Sequence, residues 1–210
     1  MAMQPLEKGR GLYAIIDPEH CASREPAWVA QEILAGGCCA LQLRAKTAGD
    51  REILSLGIKL KHLCSEHGVP FIMNDRADLA ALLEADGLHL GQDDLSIAEA
   101  RNIFPRSIGV STHSLDQALI ASATADLIGV GPVFATQSKK NPDPCLGLEA
   151  LHEIATKTEV PCVAIGGITL DQSAAVYETG VDMIAMIRAL SQAEDPRSAA
   201  KFVHESRPRW

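Results

Sequence analysis

Acidic and amide side chains follow two short apolar runs of the sequence and are suited to binding a divalent cation. Asn74 and Asp75 end the run VPFIMND, and Asp94 follows GLHLGQD. Two carboxylates with a nearby amide suit Mg²⁺, which prefers oxygen ligands and usually retains water and substrate phosphate. The pattern therefore predicts a magnesium site that works on a phosphorylated substrate.

Cationic side chains are spaced as a diphosphate-binding group would require. Gln42, Arg44 and Lys46 alternate along the run CALQLRAK. Alternate residues of a strand lie on one face, so Arg44 and Lys46 are predicted to hold a diphosphate across from the metal. Metal, Arg and Lys together would neutralise the charge that develops on a leaving diphosphate.

Two further segments have the composition of a second anion site. The stretch GPVFATQSKK carries Thr136, Ser138 and Lys139 directly after an apolar run, where closely spaced hydroxyls and lysines suggest phosphate binding. Gly166-Gly167 permits close backbone approach, and the turn near Ile187-Arg188 follows the last apolar run. Two anion sites predict that two phosphorylated substrates are joined.

Eight short apolar runs alternate with helix-like stretches and must position these groups. The predicted strands are 11–16, 39–44, 69–74, 87–90, 107–111, 126–131, 160–166 and 182–187. This alternation predicts a parallel sheet covered by helices, and eight units favour a compact (β/α)8 TIM barrel, a single domain over residues 1–210. An open doubly wound sheet is the alternative, but no GxGxxG follows the first strand.

The barrel predicts that the chemistry lies at the carboxyl ends of the strands. Each polar residue there also has a structural interpretation. Asp17 could cap a turn, Ser111 or Ser114 could cap a helix, and Asp75 or Asp94 could open one. Polar groups at the ends of eight consecutive strands favour a binding site over capping alone.

Composition and charge exclude several classes of protein. The net charge of -8 disfavours binding of nucleic acid through the general surface, and no apolar run approaches the roughly 18 residues that span a membrane. The first residues, MAMQPLEKGR, lack the apolar core of a secretory signal, which predicts a cytoplasmic protein. Six cysteines without a CxxC pair predict small buried thiols rather than a zinc site or disulfides. A homo-oligomer stays open.

The assembled motifs resemble those of the thiamine-phosphate synthase family. QLRAK, NDR, HLGQDD and GPVFATQSKK occur in the family's order, and the likeness runs from GLYAIID to SQAEDP. The resemblance implies a Mg²⁺-dependent transfer in which aminopyrimidine methyl diphosphate loses pyrophosphate and a thiazole phosphate nitrogen bonds to the methylene carbon. The route that it implies is dissociative, through a pyrimidine carbocation.

The resemblance also implies roles for individual residues. The metal would be carried by Asp75 and Asp94, and Ser111 would lie near the departing pyrophosphate, with Arg44 and Lys139 as the other catalytic groups. The pyrimidine diphosphate would be held by Gln42, Arg44, Lys46, Asn74, His89 and Lys139. The thiazole phosphate would be held by Thr136, Ser138, Gly167, Ile187 and Arg188.

One position departs from the family pattern. The family has Ser followed by Ala after the last strand, whereas this chain reads MIRAL with Arg188 in the Ser position. A backbone N–H survives the change and a guanidinium could pair with phosphate, but the bulk could crowd the pocket. Two alternatives follow: a thiazole tautomerase, whose relatives depart at the diphosphate and metal motifs, and a non-catalytic sensor of thiazole phosphate or diphosphate.

Overall fold

The computed structural model describes residues 9–136 and 143–208. The strands are β1 (Gly11–Ile16), β2 (Ala40–Leu43), β3 (Phe71–Asn74), β4 (Gly87–Leu90), β5 (Ser107–Thr112), β6 (Leu127–Val130), β7 (Cys162–Ile165) and β8 (Met183–Met186). The helices are α1 (Pro26–Gly36), α2 (Asp50–His67), α3 (Ala77–Leu82), α4 (Ile97–Arg101), α5 (Leu115–Ser122), α6 (Gly147–Lys157), α7 (Ser173–Glu178), α8 (Arg188–Ser191) and α9 (Pro196–Glu205).

The strands form a closed parallel barrel in the order β1-β2-β3-β4-β5-β6-β7-β8, which confirms the predicted (β/α)8 architecture. Side chains alternate between two apolar cores, as the pleat requires. Leu12, Ala14 and Ile16 of β1 pack outward against the helices. Tyr13 and Ile15 point into the barrel, where they meet side chains such as Met183. The interior is therefore a packed core that supports whatever lies at the strand ends.

Helix boundaries follow local chemistry that the sequence displays. Pro26 starts α1, where its missing N–H costs nothing, and the Glu25 side chain accepts from Trp28 N. Helix α2 ends at Gly68, whose φ of 66° lies in the left-handed region that glycine adopts without strain. Ser114 caps α5 by accepting from Gln117 N, as one of the structural interpretations predicted.

Several strands are shorter than the apolar runs that predicted them. β2 was predicted over 39–44 but ends at Leu43, so Arg44 and Lys46 follow the strand instead of alternating along it. Arg44 still continues the pairing with one backbone bond, from its N–H to Ile16 O at 2.9 Å. Two short elements had no periodic signal in the sequence, the 3₁₀ turn Pro18–His20 and helix α8.

Four of the six cysteines agree with the prediction of small buried thiols. All six cysteines are free, and Cys21, Cys38, Cys64 and Cys162 are buried, while Cys145 is exposed. Burial raises the pKa of the Cys21 thiol to about 11, which keeps it protonated at neutral pH. Within the described ranges, no helix is long and apolar enough to cross a membrane.

Candidate active site

Two carboxylates converge beside a cavity at the carboxyl ends of β3 and β4. Asn74, Asp75 and Asp94 line this cavity of about 290 Å³ together with Lys46 and Arg76. Lys46 Nζ lies 3.0 Å from Asp75 Oδ2, and Asp94 Oδ2 accepts from Gly91 N at 2.6 Å. The structure therefore brings together the two predicted metal ligands and two predicted ligands of the pyrimidine diphosphate, Lys46 and Asn74.

Electrostatics at this acidic pair favour the arrival of positive charge. Burial raises the pKa of Asp75, the adjacent Asp94 carboxylate raises it further, and Lys46 opposes both effects. Two carboxylates held this close repel one another when both are ionised. A cation between them would remove that repulsion.

The backbone at Asp75 is held in a conformation that non-glycine residues rarely adopt. Its φ is 62°, in the left-handed region. Asp75 N donates to His89 O at 2.8 Å, and Arg76 N donates to Asn74 O at 2.7 Å. Strained residues persist where the surroundings over-determine them, commonly at functional sites, and here the strain accompanies a carboxylate that faces the cavity.

Arg44 is fixed by an acidic partner that the sequence did not assign to the site. Its guanidinium forms an ion pair with Asp17, and the two side chains are 14% and 0% exposed. Asp17 also caps the 3₁₀ turn, accepting from Glu19 N at 3.1 Å. The capping prediction for Asp17 is confirmed, but its pairing with Arg44 was missed, because nothing in the sequence showed that the ends of β1 and β2 bring them into contact.

Gln42 and Asn74 belong to a buried hydrogen-bond chain inside the barrel. Tyr13 Oη donates to Gln42 Oε1 at 2.8 Å, and Gln42 Nε2 donates to Asn74 Oδ1 at 2.7 Å. Both amide side chains are buried, and Asn74 lines the cavity. The sequence places Tyr13 in an apolar strand, and no spacing signal marks its hydroxyl.

His89 and Ser111 meet across neighbouring strands. His89 Nε2 and Ser111 Oγ are 2.9 Å apart, and Gln92 Nε2 donates to Ser111 O at 2.5 Å. Glycines on β5 and β6 leave room for the imidazole, because a Cβ at Gly109 would lie 2.9 Å from His89 Nδ1. The predicted pyrophosphate contact Ser111 and the predicted ligand His89 therefore form one polar unit.

The loops after β6 and β7 are bound to each other through their backbones. Phe134 N donates to Gly166 O at 2.9 Å, and Val133 N donates to Ile165 O at 2.9 Å. A Cβ at Gly167 would lie 2.4 Å from Ala135 O, so only glycine permits this approach. Thr136 therefore directly follows Ala135, the residue that Gly167 approaches. Ser138 and Lys139 lie outside the described residues.

Ile187 and Arg188 lie where β8 turns into α8. Ile187 precedes the helix and its carbonyl accepts from Ser191 N at 3.0 Å. Arg188 is the first residue of α8, and its Nε donates to Gln192 Oε1 at 3.3 Å along the same helix. The guanidinium thus has a partner at the carboxyl end of its own helix, and the phosphate contact of this turn stays a prediction.

The donor set near Asp75 suits a hard divalent cation. Among the described residues, no group of three or more His, Cys, Asp or Glu side chains converges as a complete protein cage would. Mg²⁺ is typically held by one or two carboxylates, with water and substrate phosphate completing its octahedron. Asp75 and Asp94 beside an open cavity match this mode of binding.

Comparisons with known proteins agree with this geometry. The family model described as "Thiamine monophosphate synthase" matches residues 12–190. A thiamine-phosphate synthase of Desulfitobacterium hafniense (strain Y51) is 43% identical over 193 residues, which are 90% of this chain and 93% of that protein. The thiamine-phosphate synthase of Archaeoglobus fulgidus is 38% identical over 203 residues, covering 97% and 96% of the two chains.

A solved structure is similar over nearly the whole length. The thiamine phosphate pyrophosphorylase from Pyrococcus furiosus superposes with a TM-score of 0.87 and 37% sequence identity, covering 96% of each chain. The family match spans most of the barrel and all of the strand ends described above, from the end of β1 to the start of α8. The chain therefore belongs to the thiamine monophosphate synthase family.

Proposed function

We propose that the chain is a transferase of thiamine biosynthesis that couples 4-amino-2-methyl-5-hydroxymethylpyrimidine diphosphate to 4-methyl-5-(2-hydroxyethyl)thiazole phosphate. The products are thiamine monophosphate and pyrophosphate. The observation that carries the proposal is the convergence of Lys46, Asp75 and Asp94 at one cavity in a chain of this family, with the Arg44–Asp17 pair at the ends of the neighbouring strands. The relatives named above do not favour a thiazole tautomerase or a sensor.

The reaction breaks one bond and forms one. The bond between the methylene carbon and the diphosphate oxygen breaks, and its electron pair leaves with pyrophosphate. The lone pair of the thiazole ring nitrogen then bonds to the methylene carbon, which carries the positive charge in the dissociative route. No proton leaves the nucleophile, so the site needs positioning and charge neutralisation more than a strong base.

Charge neutralisation at the leaving group falls to Arg44 directly after β2, to Ser111 on β5 and to Lys139 in the segment that follows β6 in the sequence. Arg44 is held by Asp17 with its position fixed before substrate binds, so little reorganisation accompanies the reaction. Ser111, bonded to His89, offers a hydroxyl to the departing pyrophosphate. Lys139, assigned from the sequence alone, adds a positive charge.

The metal role follows from the acidic pair. Asp75 and Asp94 would hold Mg²⁺, which would neutralise diphosphate charge as a Lewis acid when bound. Lys46 is half exposed and paired with Asp75, so its ammonium would turn to the substrate phosphate when a cation takes its place beside that largely buried carboxylate. Asn74 and Gln42 complete the pyrimidine diphosphate site from the barrel interior.

The thiazole phosphate would bind on the opposite side of the barrel mouth. Thr136 and Gly167 belong to two loops that are joined by backbone hydrogen bonds, and Ile187 and Arg188 begin the next turn. Ser138 is assigned to the same site from the sequence. We propose that residues 1–210 act as one domain for this reaction.

Pyrophosphate release tests the proposed function when each component is omitted in turn. We expect pyrophosphate release only with the pyrimidine diphosphate, the thiazole phosphate and Mg²⁺ together. A chelator should abolish the release, and added Mg²⁺ should restore it. Asp75→Asn should raise the Mg²⁺ concentration that is required, because it removes half of the acidic pair. Asp116→Asn, on the exposed first turn of α5, is the matched control and should not. Absence of release with all three components would refute the proposal.

A further inference from the structure

A chain of hydrogen bonds climbs the barrel interior from β1 to the floor of the cavity. It runs from Tyr13 Oη to Gln42 Oε1 at 2.8 Å and from Gln42 Nε2 to Asn74 Oδ1 at 2.7 Å. Tyr13, Gln42 and Asn74 are 2%, 3% and 8% exposed. Each side chain donates a hydrogen bond to the next one toward the carboxyl ends of the strands. The three therefore form one connected unit that begins in the apolar core and ends at the cavity.

Strand register explains why these residues meet. Tyr13 pairs with Ala40, which places Gln42 two residues further along β2. Gln42 pairs with Ile72, which places Asn74 two residues further along β3. Two residues advance a strand by about 6.6 Å, a distance that a tyrosine ring or a glutamine side chain can span. Because the strands of the barrel are staggered, these three inward-facing residues lie at successive heights along the barrel axis, each within hydrogen-bonding reach of the next.

The direction of these hydrogen bonds is set by the Tyr13 hydroxyl proton, which needs an acceptor. Burial raises the pKa of Tyr13, so the hydroxyl keeps its proton and donates a hydrogen bond to Gln42 Oε1. With its oxygen occupied, Gln42 turns its NH₂ toward Asn74, whose oxygen accepts. The Asn74 NH₂ group is then left to face the cavity that this residue lines. A carboxamide can point either way and a phenol can accept as well as donate, so the direction follows from the Tyr13 proton, which finds its acceptor in Gln42 Oε1.

We propose that Tyr13 is a positioning residue that, through Gln42, turns the Asn74 amide so that it presents N–H donors to the bound diphosphate. This inference rests on the proposed function and deepens it, since it says how an interior residue prepares the anion site. An amide turned the other way would present its oxygen to phosphate oxygens, which repel it. Tyr13 thus contributes to binding of the diphosphate through Gln42 and Asn74.

The two tyrosines of the chain provide a matched pair of substitutions, Tyr13→Phe and Tyr177→Phe. Both hydroxyls are buried, but the Tyr177 hydroxyl has no hydrogen-bond partner within the described part of the chain. Each change removes one oxygen atom and keeps the ring. We expect Tyr13→Phe to raise the KM for the pyrimidine diphosphate about tenfold, the size of one lost hydrogen-bond preference. The KM for thiazole phosphate should stay the same, and Tyr177→Phe should change neither.

The same substitution in a Gln42→Leu protein distinguishes a positioning role of Tyr13 from a general effect on stability. In a Gln42→Leu protein the relay is already broken, so adding Tyr13→Phe should leave the KM for the pyrimidine diphosphate unchanged. A purely structural role of the hydroxyl would instead make the two effects independent and multiplicative. Equal additional loss in both backgrounds would therefore overturn the inference.

Side-chain amide NMR tests the same point without turnover. The Asn74 NH₂ signals, assigned by their loss in Asn74→Ala, should shift in Tyr13→Phe and stay in place in Tyr177→Phe. Unchanged Asn74 signals in Tyr13→Phe would refute the relay. The proposed function and this inference can fail separately. If the protein lacked coupling activity, but Tyr13→Phe shifted the Asn74 signals and weakened equilibrium binding of the pyrimidine diphosphate, the proposed function would be refuted and this inference would stand.

Discussion

The ion pair between Asp17 and Arg44 is the contact at the strand ends that depends most on burial. Asp17 is fully buried, and Arg44 is 14% exposed. Removing one partner of a buried pair leaves an uncompensated charge, which costs far more than losing a surface pair. The same contact fixes the guanidinium that we propose holds the diphosphate, so stability and activity should fall together when it is broken.

Asp17→Asn tests this contact with little other change. Asparagine caps a helix as well as aspartate does, so the bond to Glu19 N can survive while the charge is lost. We expect a loss of about 3 kcal/mol in the free energy of unfolding, because Arg44 then lacks its buried partner. The KM for the pyrimidine diphosphate should rise as well.

Asp78→Asn is the control for that variant. Asp78 pairs with Arg76 at 2.7 Å but is 55% exposed, so its loss should cost less than about 1 kcal/mol. Denaturant unfolding of both proteins measures the difference. Equal losses would show that burial of the Asp17–Arg44 pair has no special weight.

Arg188→Ser tests the position at which the chain departs from its family. Arg188 Nε bonds to Gln192 along α8, and the backbone of the turn does not depend on that contact. We expect turnover to persist in both proteins, with an altered KM for thiazole phosphate and a change in stability within about 0.5 kcal/mol. Steady-state kinetics with each substrate varied in turn decide this. A large fall in kcat with both KM values intact would contradict it.

At the scale of elements, the joined loops after β6 and β7 are the most constrained part of the site. Gly167→Ala would place a Cβ 2.4 Å from Ala135 O at a φ of 68°, so backbone must move. Gly68→Ala imposes nearly the same φ, 66°, with nothing within 4 Å. We expect Gly68→Ala to cost about 1 kcal/mol and Gly167→Ala about 1 to 3 kcal/mol more.

Function separates the two glycine variants further. Gly167→Ala should raise the KM for thiazole phosphate, because the loops that carry Thr136 and Gly167 are forced apart. Gly68→Ala lies at the end of α2 and should leave both KM values unchanged. Equal stabilities and equal kinetics of the two variants would contradict the close approach of the loops.

Helix α9 carries a titratable group against the amino end of the barrel. Burial lowers the pKa of His204, Arg207 lowers it further, and Glu205 raises it slightly. His204 Nδ1 has no hydrogen-bond partner in the ranges 9–136 and 143–208. Its ring lies against Gly11 and Gly37, where a Cβ would come within 2.9 Å and 3.3 Å of it.

The sign of the pH dependence follows from that direction. Because the folded pKa lies below the unfolded value of about 6.5, the unfolded chain takes up the proton first as the pH falls. The contribution of His204 to stability is therefore present above about pH 6.5 and lost as the pH falls toward the folded pKa. His204→Leu should flatten the fall in melting temperature between neutral and acidic pH, whereas His67→Leu, at an exposed position, should not. An unchanged slope in His204→Leu would refute this account.

How far the sequence predicts these elements depends on where the information lies. Pro26 and Gly68 mark helix ends through their own backbone preferences, which are evident in the chain alone. Helix α8 has only four residues, too few for any apolar period, and was not predicted. The Asp17–Arg44 and Tyr13–Gln42 contacts depend on the stagger between strands, which no local pattern encodes.

At the scale of the whole molecule, the closed barrel gathers groups that are far apart in sequence. Asp17 and Arg44 meet at the ends of β1 and β2, Asp75 and Asp94 at the ends of β3 and β4, and Gly167 approaches Ala135 between β6 and β7. The polar strand ends were identified from the sequence because the barrel rule says where to look. Their partners in the interior became visible only with the fold.

The joining of two phosphorylated molecules at the carboxyl ends of the strands is the central claim to be tested. The most direct measurement is the molar ratio of thiamine monophosphate formed to pyrophosphate released in one reaction mixture with both substrates and Mg²⁺. We predict a ratio of about one, with neither product formed when thiazole phosphate is omitted, since each bond broken corresponds to one bond formed. Pyrophosphate released without thiamine monophosphate, or neither product in the complete mixture, would contradict the account.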